Sequence, residues 1–247
     1  MTLELELQNT TRCLVGFRAR DAPQLGSVAC WSDGEALWIA VPARSSLAAG
    51  LRAAPSCAIG IGAGTGLKIL ASGAARVFTP DDLVGLLFHG PIVTAAMAAL
   101  ALRHPREVTR GWPLVPARIA VDEATAVEAP LPPPGIAPAL PEIIPADIRR
   151  DLSGIRQILM ATEGHDGVQL APATWGAGFT IDPQAQSRPG ASVAVAAGSP
   201  GGTGVVLTGE LDTRGALLPA HASWWGGGRS GAAPLPPAPR GAVRLPD

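Results

Sequence analysis

The chain has 247 residues, 47% hydrophobic, 16% charged and 4% aromatic, with a formal net charge of -1. So low a charged fraction argues against a disordered chain, and near-neutrality argues against a nucleic-acid binder, which needs a basic footprint. With 30 Gly and 25 Pro against 4 Phe and no Tyr, short strands joined by turns are expected rather than long helices.

Cys13 to Phe17 is a short apolar run. Gly26 to Ser32 leads into Asp33-Gly34, a hairpin signal, and Leu37 to Val41 is its expected partner. Ser45 or Ser46 can cap a short helix carrying Leu47 and Leu51, which must stop before Pro55. Cys57 to Ile61 and Leu67 to Val77 are two more strands, joined by the glycine-rich turn Gly62 to Gly66. Thr79-Pro80-Asp81-Asp82 is a helix start, with Pro in the first turn and acids facing the dipole. Leu83 to Leu102 then runs 20 residues without a charge, the length of a membrane span. His89-Gly90-Pro91 at its centre predicts two short buried helices broken at Pro91 instead, and no membrane partner. Val115 to Val127 closes the first domain, residues 1–129, as a long strand.

Seven prolines between Pro130 and Pro145 predict a stiff, extended linker. Beyond it, Ile148, Leu152, Ile155 and Leu159 recur at helical spacing. Strands are then expected at Val168 to Thr174, Gly178 to Ile181, Ser192 to Ala196 and Val205 to Leu211, within a second domain, residues 146–231. The tail, residues 232–247, is again rich in Pro and should wrap the surface or be loosely ordered. The acidic N-terminus Met1 to Glu6 has no apolar core and does not read as a secretory signal. Cys13, Cys30 and Cys57 form no CxxC pair and read as buried hydrophobes of a cytoplasmic protein.

The two halves share an order of residues. Pro55-Ser56-Cys57-Ala58-Ile59-Gly60-Ile61, Gly64-Thr65-Gly66-Leu67 and Ser72-Gly73 recur as Pro189 to Val195, Gly202-Thr203-Gly204-Val205 and Thr208-Gly209. A duplication is expected, with a shorter second copy, because Ile181 to Pro189 leaves no room for the helix that fills Ser45 to Ala54.

The run Leu37 to Pro55 places a strand ending near Pro42, the turn Ala43-Arg44-Ser45-Ser46, and a helix ending Leu51-Arg52-Ala53-Ala54-Pro55. Gly73-Ala74-Ala75-Arg76-Val77 follows after two strands. In this order the chain resembles the pyridoxamine 5'-phosphate oxidase-like family, the FMN-binding split barrels, over about Thr11 to Val127 and more weakly over Val168 to Leu211. The resemblance implies a mainly β, α+β architecture: a six-stranded antiparallel split barrel followed by a second, truncated split-barrel-like domain. It also implies a homodimer, or an internal pseudo-dimer of the two halves, with a flavin held between the paired bodies. FMN is the implied cofactor, with deazaflavin the alternative and haem a remoter one. The implied activity is an oxidoreductase acting on a small molecule; the alternative is a non-catalytic cofactor-binding or interaction protein. The turn that holds the flavin phosphate in the family falls here on Ser45, Ser46 and Leu47. Ser46 and Leu47 stand where the family carries Arg and Lys, which leaves Arg44 as the nearby cation. Lys68 falls at a strand position that meets the flavin ring in relatives, where an amine would stabilise the reduced anionic flavin.

The physical reading of the turn is compatible with an anion site. Amides at a helix N-terminus and serine hydroxyls bind anions, and Arg44 adds a charge-assisted donor. Equally, one serine caps the helix and nothing more. His165-Asp166 lies in a turn by composition. His89, His104 and His221 are scattered, without metal-binding spacing. Trp224-Trp225 could stack on a flat ring beside Arg229, or plug the open end of the second barrel.

Overall fold

The computed structural model describes residues 11–20, 22–62, 67–79, 82–103, 113–128, 130–132, 135–182, 189–199, 202–226 and 229–236. Six strands form a closed antiparallel barrel: β1 (Arg12–Ala19), β2 (Ala22–Ser32), β3 (Leu37–Pro42), β4 (Ser56–Ile61), β5 (Leu67–Val77) and β6 (Leu114–Glu128), in the order β1-β2-β3-β6-β5-β4. Alternate residues such as Cys13, Val15 and Phe17 of β1, Ile39 and Val41 of β3, and Ile59 and Ile61 of β4 fill its interior. Leu14, between two of these, faces outward into a different buried cluster. Both faces of β1 are therefore buried, which is why its sequence reads as a continuous apolar run rather than an alternation.

Helix α1 (Ser46–Ala53) stands between β3 and β4 and closes one end of the barrel with Leu47, Ala48 and Leu51. Gly50 permits the approach: a β-carbon there would lie 2.6 Å from the Arg18 carbonyl oxygen and 2.6 Å from the Phe17 ring. The hairpin expected at Asp33-Gly34 is present, with Gly34 at φ 96. The Asp33 carboxylate accepts from the Ala36 amide at 2.8 Å and from the indole Nε1 of the fully buried Trp38 at 2.8 Å.

Helix α2 (Leu83–Arg103) corrects the expectation of two helices broken at Pro91: it is one helix, with Pro91 inside it. Asp82 starts it by accepting the Gly85 amide at 2.9 Å. Pro91 is exposed, as is Leu87, whose carbonyl loses its usual donor; a carbonyl freed on the exposed side is not desolvated, so the helix continues through the proline. The helix is also only half buried. Val93, Ala96 and Leu100 pack on Trp38 and Phe78 outside the barrel, while Leu87 (78% exposed), Phe88 (75%) and Leu102 (83%) face outward. Among the described residues no helix is long and apolar enough to cross a membrane.

The segment after β6 has no regular structure where it is described, up to the short helix α3 (Ala146–Asp151). It is nonetheless anchored, because Ile144 is fully buried in the second core and Gln157 Nε2 donates to the Pro130 carbonyl at 3.2 Å. The helix expected to run from Ile148 through Leu159 stops at Asp151. Gly154, at φ 84, turns the chain into β7 (Gln157–Gly164). Ile148 and Leu152 point into the second core, whereas Leu159 belongs to the cluster between the two bodies, so helical spacing at Leu159 is coincidence.

The second sheet contains β7, β8 (Gly167–Trp175), β9 (Ile181–Asp182), β10 (Ser192–Gly198), β11 (Gly204–Leu211), β12 (Leu217–Gly226) and β13 (Arg229–Pro234). Its order is β13-β12-β11-β10-β7-β8-β9. The strand expected at Gly178 to Ile181 is shorter, since Ala177–Phe179 form a 3-10 turn with Gly178 at φ 66. Of the tail, Ala232 to Pro234 extend β13 along β12; its residues from 237 onward lie outside the described residues, as do 63–66 of the expected Gly62 to Gly66 turn and the Pro80 and Asp81 of the expected helix start.

Matched strand for strand, β6-β5-β4-β1-β2-β3 of the barrel and β12-β11-β10-β7-β8-β9 of the second sheet have one order. Both also carry a bulge at the matching place, between Ser72 and Gly73 on β5 and between Thr208 and Gly209 on β11. At both bulges a β-carbon would collide with a backbone carbonyl of the neighbouring strand, Ala120 or Leu218, so glycine is required there. The second sheet stays open because β9 spans only Ile181–Asp182, against Leu37–Pro42 for β3 in the barrel.

The second sheet packs on the outer face of the barrel. Leu14 and Leu25 of the barrel meet Leu159, Val168, Ala194, Ala196 and Val206. Two glycines receive it: a β-carbon at Gly60 would overlap Leu159 Cδ2, and one at Gly16 would lie 3.0 Å from both Leu170 and Val168. At the rim Arg18 and Glu163 pair at 3.1 Å, both about half exposed, which adds little.

Candidate functional site

Where β2 leaves this contact, a cleft of about 450 Å³ opens between the barrel and the second sheet. Its barrel wall is built from β2 (Gln24 to Val28), Pro42 and the Ser45-Ser46-Leu47 start of α1. Its opposite wall comes from β11 to β13, including Val206, Thr208, His221, Ser223 and Pro234. The volume lies within the roughly 300 to 1,000 Å³ range of small-molecule sites, and the walls have the usual mixture of apolar surface and a few polar groups.

The turn before α1 is fixed. The Ser45 amide donates to the Pro42 carbonyl at 2.9 Å, and the Ala43 amide to the Pro113 carbonyl at 2.9 Å. Ser45 is the helix cap: its hydroxyl donates to the Pro42 carbonyl at 2.7 Å and accepts from the Ala48 amide at 3.1 Å. That hydroxyl is therefore committed to the fold. Ser46, exposed at the first helical position, and the Ser46 and Leu47 amides are the donors the turn still has to offer. Arg44 is exposed beside them. Leu47 packs into the barrel core.

The opposite wall holds a cross-strand pair at the bulge. Thr208 on β11 pairs with His221 on β12, and the next pair is Gly209 with Pro219, so Ala220 is the extra residue. The Leu235 amide donates to the Ala220 carbonyl at 2.7 Å and fixes the bulge. Thr208 is 8% exposed, lines the cleft, and its hydroxyl has no partner among the described residues. A buried hydroxyl without a partner costs about 1 to 3 kcal/mol, and such a group in a native structure calls for an explanation. His221 is exposed on the same wall. On the barrel side, Ser27 accepts from Arg12 Nε at 3.2 Å.

The structure thus brings Ser45 and Ser46 into one cleft with Arg44 alongside. Lys68 stands elsewhere: on β5, paired with Val127, on the strand across the barrel from β2. Trp224 and Trp225 serve packing, one against the second core and the other against the cluster between the bodies. His165 and Asp166 form the turn between β7 and β8, where the Asp166 carbonyl accepts from the Ser56 hydroxyl at 3.1 Å. Thr208 and His221 had no local signal in the sequence, since only the β11–β12 pairing and the docking of the sheet bring them into the cleft that Ser46 lines.

The three cysteines are buried, and none of them lines the cleft. Burial, with a smaller effect of Asp122, pushes the Cys57 thiol up to about 12. A hydrogen bond with Cys30, then burial, raises the Cys13 thiol as well. Neither is a thiolate at neutral pH, which makes both poor nucleophiles.

No protein-family model matches the chain, and no curated protein matches it. Solved structures are similar to about half of it, at low identity. One is a FAD-binding protein from Mesorhizobium loti, at 14% identity, covering 49% of this chain and 88% of that one, with a TM-score of 0.41. Another is a pyridoxamine 5'-phosphate oxidase candidate from Listeria innocua, at 14% identity, covering 51% of this chain and 98% of that one, with a TM-score of 0.40. A third is general stress protein 26 from Bacillus anthracis, at 14% identity, 51% and 95% coverage and a TM-score of 0.36.

Proposed function

We propose that the chain is a flavin-binding oxidoreductase in which the two halves pair with each other, and that the cleft between them is its flavin site. The observation that carries this reading is the meeting, in one cavity, of donors at the start of α1 with a buried Thr208 hydroxyl from the other half that has no partner among the described residues. A group with an anionic end and a flat, largely apolar body suits such walls. Ser46, the Ser46 and Leu47 amides and Arg44 would hold the phosphate of FMN. Leu25, Val206 and Pro234 would cover the apolar body. When bound, the flavin would supply hydride or electron transfer to a small-molecule substrate, and the protein would supply position and exclusion of water.

The shared strand order and the matched bulges support pairing of the halves as an internal pseudo-dimer, and so one complete cleft per chain. The symmetry-related cleft would need a counterpart of α1 between β9 and β10, where the interval from Asp182 to Ser192 is shorter than the interval from Pro42 to Ser56 that holds α1. The experiment is reconstitution of the full chain with FMN or deazaflavin followed by desalting. The reading expects about one flavin retained per chain, and loss of retention in the variant Arg44→Ala combined with Ser46→Ala. Failure to retain either cofactor would overturn it.

A further inference from the structure

Resting on that reading, we infer that the second sheet supplies anion contacts to the same cleft as the turn before α1: Thr208 and His221 line it together with Ser46 and bind the phosphate from the other half. Three observations carry this. The turn keeps hydrogen-bond donors, but Leu47 is buried in the barrel core and no cation of the turn lines the cleft. Across the cleft, the Thr208 hydroxyl is buried, unpartnered among the described residues and part of the lining. The β11–β12 bulge pairs it with His221, whose imidazole lines the same wall. A phosphate between these walls would satisfy the Thr208 hydroxyl and receive a charge-assisted bond from His221 when the imidazole is protonated.

The consequence is pH-dependent discrimination between phosphorylated and unphosphorylated forms of one ligand. Among the described residues that line the cleft none is Asp, Glu, Lys or Arg. Arg44 lies on the turn beside it, Arg12 donates to Ser27, and Arg18 is paired with Glu163. On β11 the nearest acid is Glu210, exposed and two residues beyond Thr208. β2 carries no charged residue, and β12 none but His221. His221 is the one histidine among the described residues that line the cleft.

The test is titration of the full chain with FMN and with riboflavin, at about pH 5.5 and about pH 8, for the wild type, His221→Gln and Thr208→Val. His221→Gln should weaken FMN binding about tenfold at the lower pH and hardly at the higher, with riboflavin unchanged at both. Comparing variant with wild type at each pH cancels the titration of the FMN phosphate itself, whose second proton leaves near pH 6. Thr208→Val should weaken FMN severalfold at both pH values, and inorganic phosphate should compete less well against FMN in either variant. FMN binding that ignores both substitutions would overturn this inference and leave the flavin site standing. A wild type that binds neither FMN nor riboflavin would overturn the flavin site itself, and this inference with it.

Discussion

Gly60 and Leu159 form the tightest fit between the barrel and the second sheet, and a double-mutant cycle measures it. In Gly60→Ala the new methyl overlaps Leu159 Cδ2 and stands 3.4 Å from Leu170 Cδ1. Leu159 is 5% exposed, among Leu14, Val168 and Ala196, with little room to rotate. Overpacking of this kind costs about 1 to 3 kcal/mol, and reduced freedom of the unfolded chain returns about 0.4 to 1 kcal/mol. The net expectation is a loss of about 1 to 2 kcal/mol, or roughly 2 to 8 °C in Tm for a chain of this size. Leu159→Ala alone leaves a cavity and should cost about 2 to 5 kcal/mol. In that background the methyl added by Gly60→Ala has space, so the double variant should be about 1 to 2 kcal/mol more stable than the sum of the single effects. Urea denaturation followed by tryptophan fluorescence reads all four proteins, with Trp225 reporting from the same cluster. Additive costs would refute the contact, and a Gly60→Ala variant as stable as the wild type would show that the two bodies do not pack through this face.

Other expectations follow from the same geometry. Gly50→Ala should displace α1 from the Arg18 carbonyl, cost about 1 to 3 kcal/mol, and weaken FMN binding by moving the Ser45-Ser46 turn; equilibrium denaturation and flavin titration check both effects. Asp33→Ala should cost about 1 to 3 kcal/mol by leaving the buried Trp38 indole N–H without its acceptor. Burial opposes ionisation of Asp33, but the Trp38 indole and the Ala36 and Glu35 amides outweigh it and hold the carboxyl below its ordinary value. Its contribution is therefore present above about pH 4 and lost as the pH falls through the lowered folded value, so an acid titration of stability should flatten in this variant. A thiol reagent should label no cysteine of the folded chain at neutral pH and all three after denaturation.

Much of the barrel was legible because local signals and tertiary structure agree there. Asp33-Gly34 makes the hairpin between β2 and β3, and Ser45 caps α1 where the sequence places a cap. The repeated order of residues foreshadowed the repeated order of strands, down to glycines at both bulges. Pro91 misled because a proline costs a helix most when its freed carbonyl is buried, and here that side is exposed. Ile148 to Leu159 misled because the four residues share a period but not a core. On the barrel side, Ser45 and Ser46, singled out in the sequence, line the candidate cleft, and Arg44 lies beside them. The opposite wall was not legible, because Thr208 and His221 reach the cleft only through strand pairing at a bulge and the docking of one half on the other. Lys68 shows the converse: a plausible residue type whose strand stands across the barrel from the cleft.

Whether the two halves enclose a flavin is read from the visible absorption spectrum of the full chain after incubation with FMN or deazaflavin and removal of the unbound cofactor. The proposed flavin site predicts a retained flavin band at about one equivalent per chain, diminished in the Arg44→Ala, Ser46→Ala double variant and, at low pH, in His221→Gln. A colourless protein after both incubations would contradict it.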